Sequence, residues 1–233
     1  VAAVLIDRPS PNHGDRRGCA PDMVVIHHTA MATAEAAVDR LCDPMAEVSA
    51  HYVIAEDGRL WRLVPEDRRA WHAGAGAWGG CADVNSRSIG IELANPGDGP
   101  YPAPQWRALV GLLRGVAARW RIPPERVIGH QCMAPDRKAD PGRGFDWRAL
   151  AAEGLAIWID GSPGRAPADA AAFRRAARAF GYPLAAEGGW DAAALAVADA
   201  FQSRFRPWER GALTVAGLAQ LQALAARWPA ARA

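Results

Sequence analysis

Up to about residue 160 the chain alternates between short β-branched apolar runs and longer stretches with apolar residues at helical spacing. Met23-Val24-Val25-Ile26 lies between Pro21-Asp22 and two histidines, and reads as a buried strand that delivers His27 at its end. Strand alternation sends the neighbouring His28 to the opposite face, where a structural role is expected. The spacing over 33–41 predicts a helix, stopped by Pro44. His51-Tyr52-Val53-Ile54 and Leu60-Trp61-Arg62-Leu63-Val64 are β-type runs on either side of Glu56-Asp57-Gly58, whose Asp-Gly pair signals a hairpin. Ser88-Ile89-Gly90-Ile91-Glu92-Leu93 predicts a strand that presents Glu92 and is closed by Asn95-Pro96-Gly97. Over 104–120 an apolar stripe at Trp106, Leu109, Val110, Leu113, Val116 and Ala117 predicts a helix packed on the sheet. Arg126-Val127-Ile128-Gly129 makes one more brief strand, ending at His130 and an irregular loop with Pro135, Pro141 and Gly142.

The pattern changes at Gly161-Ser162-Pro163-Gly164-Arg165-Ala166-Pro167, a Gly/Pro-rich stretch that reads as a linker. Beyond it, 168–180, 191–204 and 214–228 have the spacing of three short amphipathic helices. The expected organisation is an α/β domain over 1–160, a linker over 161–167 and a small three-helix domain over 168–233. In the first domain, a mixed central sheet is flanked by helices. A length of 233 residues suits one full domain plus a small one.

Composition narrows the function classes. Half of the residues are hydrophobic and 22% are charged, enough apolar material for a core and too much for disorder. Arginines and acidic residues are interspersed and the net charge is +2, so no basic face for nucleic acid is expected. No apolar run is long enough to span a membrane. The apolar residues 1–6 are too few for a signal peptide and run into a polar stretch over 7–17. With no targeting segment visible, the cytoplasm is slightly favoured, and a monomer is expected. Cys19, Cys42, Cys81 and Cys132 are widely spaced and form no thiolate metal set; two disulfides and four free thiols both stay open.

Candidate chemistry gathers in Gly129-His130-Gln131-Cys132-Met133-Ala134-Pro135-Asp136-Arg137-Lys138-Ala139-Asp140-Pro141-Gly142. A loop of this kind can fold back so that imidazole and carboxylate meet one ion. Catalytic zinc sites hold the metal with three N or O ligands and leave a fourth position for water. His27, at the end of a central strand, is the natural third donor, although His51 or His72 could replace a ligand on residue type alone. Glu92 stands in an otherwise apolar strand, where a carboxylate is costly unless it is paired or faces a cleft.

Six ordered motifs resemble the AmpD/AmiD-type N-acetylmuramoyl-L-alanine amidases, which share a fold with peptidoglycan recognition proteins and phage lysozyme-like amidases. They are Ser10-Pro11-Asn12, Val25-Ile26-His27-His28-Thr29-Ala30, Ser49-Ala50-His51-Tyr52-Val53-Ile54, Trp71-His72-Ala73-Gly74, the Glu92 strand and the His130 loop. The resemblance implies zinc held by His27, His130 and Asp140, with Glu92 and Lys138 as the catalytic pair. Glu92 would take a proton from water and pass it to the leaving amine, while zinc and Lys138 stabilise the oxyanion. The bond cut would be the amide joining N-acetylmuramic acid, or its 1,6-anhydro form, to L-alanine, in peptidoglycan or in muropeptides. Trp71, His72, Asn95 and Arg137 are expected along the substrate cleft. The last helices resemble a three-helix peptidoglycan-binding module through Ala179-Phe180-Gly181-Tyr182 and Ala200-Phe201-Gln202, with Trp190, Trp208 and Trp228 available to stack on sugars or to fill the core. The AmiD branch, to which the Ser-Pro-Asn opening points, implies the periplasm or outer membrane instead of the cytoplasm. The expected alternative to catalysis is a peptidoglycan-binding protein without turnover.

Overall fold

The computed structural model describes residues 5–97 and 99–230, so the first four residues of the apolar opening segment lie outside it. Eight strands occur among the described residues: β1 Leu5–Asp7, β2 His13–Gly14, β3 Met23–His28, β4 Tyr52–Ile54, β5 Leu60–Arg62, β6 Arg69–Ala70, β7 Ser88–Leu93 and β8 Val127–Gly129. Six of them form one sheet in the order β1-β5-β4-β7-β3-β8, and β2 pairs with β6 apart from it. The predicted hairpin is the antiparallel β4–β5 pair, and every other pairing in the large sheet is parallel. β3 and β7 read as near-continuous apolar runs because interior parallel strands are covered on both faces. Their register sets His27 beside Glu92.

The helices are α1 Ala34–Cys42, α2 Val84–Arg87, α3 Ala103–Trp120, α4 His130–Met133, α5 Trp147–Ala152, α6 Ala170–Phe180, α7 Ala192–Phe205 and α8 Val215–Arg227. Six of them open on a side-chain cap that fixes where the helix starts; at α2 it is Asp83, which accepts from the Ser86 N–H group. Thr33, Asp146, Asp169, Asp191 and Thr214 accept from Ala36, Ala149, Ala172, Ala194 and Gly217 N–H groups respectively. One face of the sheet, through Val24, Ile26, Ile89, Ile91 and Leu93, packs against Leu109, Leu113 and Val116 of α3 and against Trp147 and Leu150 of α5. Buried Gln105 ties the start of α3 to the strand ends by donating to the Ile54 and Ala94 carbonyls.

On the other face, Met23, Val25 and Ile128 share a core with Phe173, Phe180, Phe201 and Phe205 of the last helices. Trp78 meets Phe180 and Tyr182 edge-on, at 5.7 and 5.1 Å between ring centroids. Trp190 stacks on Phe173 and Trp228 packs at the margin of the same cluster, whereas Trp208 is 59% exposed. The stretch over 161–167 is held to the helices: Arg206 donates to the Ser162 carbonyl at 2.8 Å, and Pro167 bridges to Thr214. All four cysteines are free thiols, which decides between the two options left open by their spacing. No helix is long and apolar enough to cross a membrane among the described residues.

Arg204, 1% exposed, joins the last helices to the sheet edge. Its guanidinium lies 4.5 Å from the Trp147 ring centroid and donates to the Val127 carbonyl of β8 at 3.0 Å. Arg204→Ala removes a buried charged hydrogen bond and a cation–π contact together, and should cost about 2–4 kcal/mol. The check is the midpoint of denaturant unfolding; an unshifted midpoint would mean that the helices dock without this residue.

Candidate metal centre

β3 and β7 end side by side, and their face opposite α3 carries Met23, Val25 and His27 on one strand and Ser88, Gly90 and Glu92 on the other. β8 runs parallel to β3 and breaks at Gly129 into the single turn α4, which puts His130 at the same end of the sheet. The loop then returns: Arg137 and Lys138 N–H groups both donate to the Ala134 carbonyl, and Gln131 N–H donates to the Asp140 carbonyl at 3.0 Å. His27, His130 and Asp140 are thereby brought together, at 1%, 3% and 7% exposure. His27 Nδ1 lies 2.9 Å from both His130 Nδ1 and Asp140 Oδ2, and His130 Nδ1 lies 3.1 Å from that oxygen.

The ring protons can be assigned from what surrounds them. His130 Nε2–H donates to the Ala73 carbonyl at 2.9 Å, so its Nδ1 carries a lone pair. Ser88 Oγ–H donates to the Val84 carbonyl at 2.6 Å, which makes the same oxygen the acceptor for His72 Nε2–H at 3.1 Å. His72 Nδ1 is then the acceptor for His27 Nε2–H at 3.0 Å, and His27 Nδ1 also carries a lone pair. Two nitrogen lone pairs and a carboxylate oxygen so close together repel one another unless a cation sits among them. This donor set fits a divalent ion of borderline softness such as zinc.

The electrostatics agree. Burial, assisted by the neighbouring His130, lowers His27 to about 4, so the imidazole is neutral near neutral pH. Desolvation works against the charge of Asp140, and the adjoining His130 and His27 rings hold its carboxyl well below the usual carboxylate range. Glu92 is pushed up to about 8, mainly by burial and then by Asp140, with Lys138 opposing. Its Oε2 is buried and has no hydrogen-bond partner among the described residues. Lys138 stands on the exposed bend of the loop, where its charge acts on both Glu92 and His27.

The remaining expected site residues divide. His51 is no ligand: its Nδ1 accepts from Gly90 N–H and its Nε2–H donates to the Arg68 carbonyl. His72 was expected at the substrate, but it lies behind His27 with both ring nitrogens engaged inside the protein. Asn95, also expected there, is 3% exposed, and its amide oxygen accepts from Gly97 N–H to shape the turn after β7. Trp71 is half-buried, and exposed Arg137 donates to the Ala73 and Ala75 carbonyls, bracing the segment next to His72. His28 points to the α3 face, under Gly97, as strand alternation requires. Asn85 and Ser88 escaped the sequence reading. Their only signal is a polar side chain at the foot of an apolar strand, which spacing does not distinguish from an ordinary turn residue.

Residues 17–143 match the family described as Amidase_2, N-acetylmuramoyl-L-alanine amidase. The chain belongs to this family. Among relatives of this amidase family, N-acetylmuramoyl-L-alanine amidase AmiD of Escherichia coli is 36% identical over 187 residues, covering 70% of this chain and 67% of that protein. The 1,6-anhydro-N-acetylmuramyl-L-alanine amidase AmpD of Enterobacter cloacae is 34% identical over 60% of this chain and 84% of its own. The solved complex of E. coli AmiD with the substrate anhydro-N-acetylmuramic acid-L-Ala-D-gamma-Glu-L-Lys superposes with a TM-score of 0.82 at 31% identity, covering 95% of this chain and 93% of that one. The mixed sheet flanked by helices is thus the amidase fold that the motif resemblance implied.

Proposed function

We propose that the protein is a zinc-dependent N-acetylmuramoyl-L-alanine amidase, cutting the amide between N-acetylmuramic acid, or its 1,6-anhydro form, and L-alanine. The observation that carries this reading is the convergence of His27 Nδ1, His130 Nδ1 and Asp140 Oδ2 in a strand register that sets the unpartnered Glu92 carboxylate alongside. Zinc in such a set supplies Lewis acidity, lowering the pKa of water it holds toward about 7 and drawing charge from an amide carbonyl. Glu92 Oε2, without a partner among the described residues, accepts the proton of the attacking water. The burial that raises its proton affinity lets it hold that proton and then give it to the leaving amine nitrogen. Lys138 contributes positive charge for the carbonyl oxygen as that atom turns negative. Trp71 and Arg137, which keep exposed surface beside the loop, are assigned to the cleft wall.

The relatives named for the 1,6-anhydro substrate support acceptance of small muropeptides. For the residues beyond the linker over 161–167 we propose a peptidoglycan contact, with the exposed Trp208 as its sugar-stacking ring. The test incubates zinc-loaded protein with a 1,6-anhydro-muramyl tripeptide and, separately, with intact peptidoglycan, and follows products by mass spectrometry. Release of peptide with a new N-terminal L-alanine is expected. Tight binding to both with no release from either would make the protein a peptidoglycan-binding one and sink the enzymatic reading.

A further inference from the structure

We propose that the two-residue strap His72-Ala73, pinned by the side-chain amide of Asn85, positions both metal-facing imidazoles, so that His72 and Asn85 set the affinity of the site without touching the ion. The proposal rests on the metal reading above. His27 arrives on β3 and His130 at the start of α4, yet each must turn the same ring atom, Nδ1, to one point. A free imidazole rotates and exchanges tautomers, so a lone pair at Nδ1 has to be specified by what Nε2 meets.

Adjacent residues of the strap supply both partners: His72 Nδ1 accepts from His27 Nε2–H at 3.0 Å, and the Ala73 carbonyl accepts from His130 Nε2–H at 2.9 Å. The two N–H groups of the strap are held from behind by one atom, while Arg137 holds the Ala73 carbonyl from the loop. Asn85 Oδ1 accepts the N–H groups of His72 and Ala73, at 3.0 and 2.8 Å. Asn85 is 8% exposed and lies on α2, immediately before β7. Gly90 leaves room for the arrangement, since a Cβ there would come within 2.4 Å of the His72 ring. Ser88 completes it by receiving His72 Nε2–H. Asn85 Oδ1 on a short helix, with Ser88 and Arg137 beside it, therefore governs the aim of two ligands that differ by 103 positions in sequence.

The test measures zinc dissociation constants by chelator competition on folded protein, with circular dichroism confirming the fold of each variant. Asn85→Leu and His72→Leu remove the acceptors and are expected to weaken zinc about 10- to 100-fold. Asn85→Asp and His72→Asn keep an acceptor oxygen near the same position, and should stay within roughly threefold of wild type, well short of that loss. Equal zinc affinity in all five proteins overturns the proposal, as does an equal loss in the acceptor-keeping and acceptor-lacking pairs. Should a leucine variant not fold, Ser88→Ala releases His72 without filling space and is expected to weaken zinc about tenfold; an unchanged constant there is equally fatal. Zinc binding by wild type without muropeptide cleavage would defeat the amidase reading and leave the positioning role standing. A wild-type protein that binds no zinc would defeat both.

Discussion

Replacing Glu92 with glutamine is expected to lower kcat/KM for muropeptide hydrolysis by about 10²- to 10⁴-fold while the folded protein keeps its zinc. Glutamine preserves the shape of the side chain beside His27 and removes only the ability to take a proton. The substitution has a second, independent signature. In the metal-free protein the Glu92 carboxyl is raised from 4.5 to about 8 by burial and by Asp140. Between those pH values the folded chain retains a proton that the unfolded chain has released, so this group's contribution to stability is present below 4.5 and is lost as pH rises through about 8. Glutamine cannot ionise. The metal-free variant should therefore gain in Tm over metal-free wild type as pH rises across that window, and a gap that does not vary with pH would show that the carboxylate is well solvated.

Stripping the metal with a chelator is expected to abolish turnover, and added zinc to restore it. Stability should follow: zinc at about a thousand times its dissociation constant stabilises the folded state by about 4 kcal/mol, read as a rise in Tm that depends on zinc concentration. The protonation states favour binding, because burial keeps His27 neutral down to about pH 4 and the Asp140 carboxyl lies well below the usual carboxylate range. The same burial makes metal-free stability fall with acidity. As pH drops from 6.5 toward about 4, the unfolded chain takes up a proton that His27 in the folded chain refuses. Full turnover by metal-free protein, or a Tm indifferent to zinc, would remove the ion from the mechanism.

Much of this was readable in the chain, for reasons that can be named. β3, β7 and α3 announce themselves through long apolar runs or stripes, and the last three helices because their apolar residues recur at helical spacing. β1, β2 and β6 did not, since two or three residues carry no period and their pairing is decided by where distant segments arrive. α4 was read as the start of a loop because a single turn has no stripe to detect. At the site, residue type and motif order point to His27, His130 and Asp140, but the difference between His51 and His72 lies in what faces each ring nitrogen. That information exists only after Gly90, Ser88 and Asn85 have been folded around them. Asn95 is similar: its amide oxygen is taken up by the Gly97 N–H two residues away, a local turn contact that spacing does not announce.

The pinned stretch over 161–167 has a bearing on how a polymer would be handled. A flexible tether raises the local concentration of whatever its free end holds, and lengthening it changes reach at little cost. Here Arg206 grips Ser162, Arg204 grips β8, and Arg143, three residues past Asp140, donates to the Glu209 carbonyl at 2.9 Å. Trp208, next in the chain to Glu209, is thereby tied to the loop that carries Asp140. Were Trp208 to stack on a sugar as proposed, the two would act as a caliper, and inserting residues over 161–167 would unseat the helices instead of letting them search farther along a glycan strand.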